Sequence, residues 1–150
     1  QPGGPFKDSL NNVEATGEFV ANMATWALRD AVWHTSIPAP AGVDEFELAG
    51  LTPVASTIVA PPRVKESPVH LECRHVQTIK LPHVDPTTAN HVVIGKVVGI
   101  HIDDSVLVDG IVDERLLEPM ARLGYLNYTR VTEVHTKPFP KWPPKPPGAP

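Results

Sequence analysis

Cysteine is almost absent from this sequence: Cys73 is the one thiol in 150 residues. That excludes an internal disulfide framework and any zinc site built on paired cysteines. There is no excess of positive charge either. Lysine and arginine number 13 against 17 aspartates and glutamates, a formal charge of −4, which argues against a nucleic acid or an anionic membrane surface as partner. No apolar run approaches the roughly 18 to 20 residues that span a bilayer. No charged segment followed by an apolar stretch marks a secretory signal at the first residues. These absences fit a cytoplasmic protein. Catalytic signatures are missing as well: no GxSxG, no P-loop and no GxGxxG occurs, so the common hydrolase, nucleotide-triphosphate and Rossmann readings have no support. The seven histidines, His34, His70, His75, His83, His91, His101 and His135, show neither HxH nor HxxxH spacing, and a metal site is not expected. There is no internal repeat.

What the chain does have is a hydrophobic fraction of 41%, 20% charged residues and 18 prolines. The length suits one domain with a core of its own. The opening Gln1-Pro-Gly-Gly-Pro5 reads as a connection between elements, and the sequence reads as part of a larger fold. At the other end, Lys137 to Pro150 is too rich in proline for helix or sheet and is expected to be an extended tail.

Between these ends the pattern predicts short helices among strands. Asp8 and Ser9 precede Leu10 and Val13, and Gly17 follows, which brackets a helix at about 9 to 16. Glu18 to Ala24 reads as a strand. Thr25 is expected to cap a second helix with Trp26, Ala27 and Ala31 on one face, ending before Pro38. Val43 to Gly50 predicts another short helix. Pro68 to Leu81 is a long strand candidate with Val69, Leu71, Cys73 and His75 on one face. His91 to Asp103 is the clearest strand, rich in β-branched residues, with Gly95 and Gly99 open to a bulge or a close backbone. Val106 to Val108 adds a short strand, and Leu116 to Arg122 a helical turn with Pro119 near its start. Long paired strands with short inserted helices predict a mainly β, antiparallel barrel and not a parallel βαβ sheet.

One segment has chemistry in it. Lys7-Asp8-Ser9 opens a helix, where unpaired N–H groups and a partial positive charge favour an anion, and Lys7 adds a full charge. The same residues also read as a plain helix cap beside a solvated lysine, and from the residues alone both readings stay open. Cys73, flanked by Glu72 and Arg74, falls on the core side by alternation, where thiols are inert. Trp26, Trp33 and Trp142 read as packing residues.

Three stretches in order resemble the long form of the flavin reductase-like family, FMN-binding split-barrel proteins that include the reductase components of nitrilotriacetate-type two-component monooxygenases. The first runs from Lys7-Asp8-Ser9 through Asn12-Val13-Glu14-Ala15-Thr16-Gly17-Glu18-Phe19-Val20-Ala21-Asn22. The second comprises Val43-Asp44-Glu45-Phe46, Ala49 to Pro53, Pro61-Pro62-Arg63-Val64 and Glu66-Ser67-Pro68. The third is His91 to Asp103, with Gly95 and Val97 as its fixed points.

The resemblance implies an antiparallel FMN-binding split β-barrel and a homodimer with the flavin near the subunit interface. It implies hydride transfer from NAD(P)H to flavin, with a monooxygenase or another electron acceptor as partner. An FMN-binding electron-transfer or flavin-carrier protein without reductase turnover is the alternative, and a fragment that binds nothing until its barrel is completed is a third. By position, Lys7, Asp8 and Ser9 correspond to the phosphate-proximal motif, and Asn22 to a residue near the flavin. His91 resembles a histidine near the flavin and nicotinamide in short-form relatives, with one residue fewer before Gly95; a surface histidine at a strand end is the other reading. Tyr128 resembles the tyrosine of an L-G-G-x-x-Y segment, with Tyr125 where a glycine is common. No residue is expected to act as an obligatory acid or base. The family's strands upstream of the Lys-Asp-Ser motif have no counterpart here. Residues 1–136 are thus expected to form the C-terminal portion of a split-barrel domain, and 137–150 a proline-rich tail.

Overall fold

The computed structural model describes residues 7–40, 42–82, 90–140 and 142; Gln1 to Pro5, His83 and most of the proline-rich tail lie outside them. In chain order the elements are α1 (Asp8–Thr16), β1 (Glu18–Asn22), a 3-10 turn (Trp26–Leu28), α2 (Arg29–His34), α3 (Glu45–Ala49), β2 (Pro53–Val54), β3 (Arg63–Val64), β4 (Val69–Leu81) and β5 (Asn90–Ile102). A second 3-10 turn (Asp104–Val106), β6 (Leu107–Val108), β7 (Ile111–Val112), α4 (Glu114–Leu117), β8 (Met120–Arg122) and β9 (Tyr128–Arg130) follow. The centre is an antiparallel sheet in the order β1-β4-β5, accompanied by the two-stranded pairs β2-β3, β6-β7 and β8-β9.

Helix α1 forms where the sequence brackets it. Leu10 and Val13, three apart and so on one face, are its buried residues, and Gly17 closes it at φ 71°, donating its N–H to Val13 O at 2.8 Å. That left-handed position suits glycine, which lacks the Cβ that would clash there. The chain passes directly into β1, whose register sets Phe19 opposite Cys73 and Asn22 opposite His70.

Strands β4 and β5 are 13 residues each, and their pairing runs from Val69–Ile102 to Leu81–Asn90. Register shifts lie between Glu72 and Cys73 and between His75 and Gln77. Strand β1 covers only the stretch from His70 to Arg74, so the outer part of the hairpin continues as a two-stranded arm.

Cys73 is buried, as alternation predicts, but the opposite face of β4 does not face solvent. His70 is 6% exposed and Glu72 not at all, because the segment 53–64 lies across that face as a strap. Thr57, Ile58 and Val59 donate their N–H groups to the Glu72 carboxylate, and Ala60 N–H bonds to Glu18 Oε2. A Cβ on Gly99, the partner of Glu72, would stand 3.1 Å from Ile58 Cδ1, so the Ile58 side chain of the strap reaches over β5.

Two expected elements differ. The helix after Thr25 is a 3-10 turn followed by the six-residue α2, neither burying a residue, and Thr25 forms a bridge with Pro119 instead of a side-chain cap. Trp26 N–H, a donor with no partner inside the turn, is bonded to Glu118 O at 3.0 Å. Leu116 to Arg122 is not one helical turn: α4 ends at Leu117, Glu118 takes a left-handed conformation at φ 43°, and Met120 begins β8. Pro119 lacks an N–H to continue the helix and stops it from behind. Residues 131–140 carry no regular structure, and Phe139 and Trp142 are 98% and 90% exposed. No helix among the described residues is long and apolar enough to cross a membrane.

Candidate functional site

Lys7 occupies the N-cap position of α1 in extended conformation, and no side chain caps the helix. Its carbonyl accepts from Leu10 and Asn11 N–H at 3.0 and 3.1 Å. The preceding N–H groups, those of Asp8 and Ser9, stand ahead of the first intrahelical bond. The plain capping role for Asp8 or Ser9 is therefore not the arrangement present.

This helix end opens into a cleft of about 540 Å³ lined by Lys7, Asp8, Ser9 and Asn12, by the 35–39 segment after α2, by Glu45 and by Arg122. Arg122 comes from β8, more than a hundred residues away in sequence. Its guanidinium carbon lies 5.8 Å from the ring centre of Tyr128, its partner on β9, and Nη2 donates to Tyr125 O at 3.3 Å. Tyr125 holds φ 60°, an uncommon conformation for a bulky residue. Tyr128 thus meets the cleft through Arg122.

The other expected residues lie elsewhere. Asn22 is not in the cleft lining; its Oδ1 accepts Val64 N–H at 3.0 Å. His91 is half-buried near the outer end of β5, opposite Lys80. Of the cleft residues beyond Lys7, Asp8 and Ser9, none was singled out from the sequence, and Asn12 and Arg122 show why. Asn12 had a signal, since it sits one turn after Asp8. Arg122 had none, because only the folded β8-β9 pair brings it there.

A second polar group lies under the strap. Desolvation pushes the Glu72 carboxyl up, but the N–H groups of Thr57, Ile58 and Val59 and the His101 ring outweigh it and hold the pKa at about 2. His101 Nε2 lies 2.5 Å from Glu72 Oε1. His70 Nε2 donates to Val64 O at 2.8 Å, and its ring stands 6.1 Å from that of His101. Burial raises the Cys73 thiol above its ordinary pKa, which leaves it a poor nucleophile. No group of three or more His, Cys, Asp or Glu suited to a metal occurs among the described residues.

Residues 4–126 match the model of the flavin reductase like domain. An uncharacterized protein of Halalkalibacterium halodurans is 34% identical over 134 residues, 89% of this chain and 64% of that protein. One from Aquifex aeolicus is 36% identical over 126 residues, covering 83% and 61%. The chain thus spans about three fifths of the length of these curated relatives. Among solved structures, nitrilotriacetate monooxygenase component B from Bacillus cereus superposes with a TM-score of 0.82 at 30% identity, covering 91% of this chain and 68% of that one. Flavoredoxin of Desulfovibrio vulgaris (Miyazaki F) shares the fold at 24% identity and a TM-score of 0.74, with 90% and 72% covered. With most of its length matched by one domain model and the same architecture in solved relatives, the chain belongs to the flavin reductase-like family and has its split-barrel fold.

Proposed function

We propose that this chain binds FMN non-covalently, with the phosphate at the N-terminus of α1, and serves the transfer of hydride from NAD(P)H to flavin. The observation that carries this reading is the meeting of Lys7, Ser9 and Arg122 in one cleft at a helix end that no side chain caps. This donor set fits a phosphate ester: the helix contributes N–H groups and a partial positive charge, Lys7 a compact charge and Arg122 a planar fork. Tyr128 holds the Arg122 guanidinium at the cleft wall by cation–π attraction. Bound FMN supplies the redox chemistry; the protein positions it and sets its surroundings. Lys7, Asp8 and Ser9 are assigned to the phosphate, and His91 to the nicotinamide side.

The partners proposed are a second copy of the chain and an electron acceptor. The likeness to a monooxygenase component supports an oxygenase in that place.

An absorption spectrum of the protein as purified or reconstituted, followed by anaerobic addition of NADH or NADPH, tests the reading. Visible flavin bands that bleach with reduced nicotinamide are the expected result. Bands that persist would assign the protein to flavin carriage or electron transfer without turnover. No flavin retained at all would reject both.

A further inference from the structure

One wall of the α1 cleft belongs to a part of the chain that is fastened to the rest at its two ends. Helices α2 and α3 pack on each other, and no described residue from Trp26 to Leu51 is buried. Every hydrogen bond and ion pair that residues 29 to 51 make among the described residues is with residues 26 to 51. The attachments to the sheet side lie just outside. At the first, Thr25 is bridged to Pro119 and Trp26 N–H is bonded to Glu118 O. At the second, Thr52 N–H meets the Glu66 carboxylate and Lys65 N–H donates to Thr52 O at 2.9 Å. A stretch held in this way, with nothing buried between its tethers, belongs to the low-stability part of a fold.

The two walls of the cleft differ in chemistry. From the sheet side come the end of α1, Lys7 and Arg122, with Asp8 as the acid beside them. Neither Lys7 nor Arg122 forms an ion pair among the described residues. The facing wall consists of residues 35–39 and Glu45. Its 35–39 part has no donor to give. The N–H groups of Thr35, Ser36, Ile37 and Ala39 are bonded to Ala31 O, Trp33 O, His34 O and Ile37 O, and Pro38 has none. The Thr35 and Ser36 hydroxyls both donate to Val32 O. Glu45 is exposed, and its carboxylate has no ion pair or hydrogen bond among the described residues. An anion seated on Lys7 and Arg122 thus gains no hydrogen bond from 35–39 and is repelled by Glu45. In the empty cleft the sign reverses, and Glu45 attracts both cations.

We propose that α2, the 35–39 segment and α3 form a gate that closes on the empty cleft, bringing the Glu45 carboxylate onto Lys7 and Arg122 in the place of the phosphate. A phosphate ester takes the cations from Glu45 and opens the gate. Glu45 is then a competitor built into the chain, which regulates the site. That the ester is FMN rests on the function proposed above.

Two measurements test this. Hydrogen exchange on the ligand-free chain, followed at the Thr35, Ser36, Ile37 and Leu48 amides, is expected to quicken in Glu45→Gln, in Lys7→Ala and at high salt, which screens the pair. Glu47→Gln is the control for the charge at the start of α3: Glu47 shares that first turn but is not in the cleft lining, and its exchange is expected to match the parent. Titration with FMN, read by flavin fluorescence, is expected to show binding roughly two- to fivefold tighter in Glu45→Gln, the range of an exposed ion pair. Riboflavin is expected to be indifferent, and the gain for FMN to shrink in the Lys7→Ala background, as it does for two groups in contact. No tightening of FMN, or equal tightening of riboflavin, overturns the competition. Exchange that ignores both Glu45→Gln and Lys7→Ala overturns the gate. FMN affinity that ignores Lys7→Ala sinks the phosphate reading alone, and the ligand-free exchange then decides the gate by itself.

Discussion

Asn22 and His70 stand opposite each other in the sheet and hold the two backbone groups of one residue: Asn22 Oδ1 accepts the Val64 N–H at 3.0 Å, and His70 Nε2 donates to the Val64 carbonyl at 2.8 Å. Both side chains belong to the face of the sheet that carries the strap. Asn22→Ala would leave the half-buried Val64 N–H unpaired. Such a loss costs about 1 to 3 kcal/mol. Urea denaturation should show this drop, with FMN affinity unchanged at temperatures where the variant is folded. A loss of FMN affinity at unchanged stability would instead place Asn22 at the flavin.

Acid should loosen the strap. Glu72 titrates at about 2 in the fold against an ordinary value near 4.5. Its folded-state pKa is depressed, so its contribution is complete above pH 4.5 and is lost as pH falls through 2. Hydrogen exchange at Thr57, Ile58 and Val59, corrected for intrinsic rates, should quicken over that window relative to the β4-β5 amides. Glu72→Gln, which cannot ionise, should abolish the pH dependence. An identical profile in the variant would show that another group sets it.

Gly95→Ala should destabilise the sheet. A Cβ there would collide with the end of the Phe19 ring and come within 3.3 Å of Cys73 Cβ. Overpacking of this kind costs about 1 to 3 kcal/mol. Phe19→Leu in the same chain should recover part of the loss, and a thermal melt of the single and double variants measures both. No loss in the single variant would mean the Phe19 ring moves aside without cost.

Lys7→Ala should weaken FMN binding roughly ten- to a hundredfold, the range of a charge-assisted contact of about 1.5 to 3 kcal/mol. Riboflavin, with the same ring and no phosphate, should bind more weakly than FMN and be indifferent to the substitution. Equal losses for both ligands would mean that Lys7 acts through folding or the ring. No loss for either would reduce the segment to a surface helix end.

The outer hairpin should pack on a second copy of the chain. Val76, Ile79, Leu81, Val92 and Ile94 are between 38% and 61% exposed there, and a two-stranded ribbon with apolar side chains is barely stable alone in water. Sedimentation at micromolar concentration should give a dimer. Val76→Lys and Ile94→Lys together should return it to a monomer. A wild-type monomer would refute the interface.

The parts of the fold that were legible in the sequence are those set by local chemistry. Gly17 and Gly50 end helices as glycines in left-handed positions do, and the β-branched run from His91 onward became β5. What escaped was decided at long range. Glu72 sits between apolar neighbours and reads as the solvent side of a strand until a strap from 57–59 arrives to bond it. The 25–34 segment has helix formers, but it folds as a 3-10 turn and a six-residue helix, with Thr25 bridged to Pro119, a residue remote in sequence. At the candidate site, Lys7-Asp8-Ser9 announces a helix end, whereas Arg122 depends on β8 and β9 folding together. An ordinary alternation pattern hides His70 because a polar residue is normally read as pointing outward.

The two register shifts in the hairpin compensate each other. Pairing passes from Glu72–Gly99 to Cys73–Val97, which skips Val98 on β5, and from His75–Gly95 to Gln77–Ile94, which skips Val76 on β4. Each strand has gained one residue, so the arm beyond Gln77 runs in the same phase as the inner end at Val69. A deletion of Val76 alone would leave the extra residue on β5 unmatched, and every pair outward to Leu81 would slip by one position. Since such a slip turns each side chain to the opposite face, the arm would present its polar residues where its apolar ones now stand. Deleting Val98 as well would restore the phase, so the hairpin tolerates paired changes in length and not single ones.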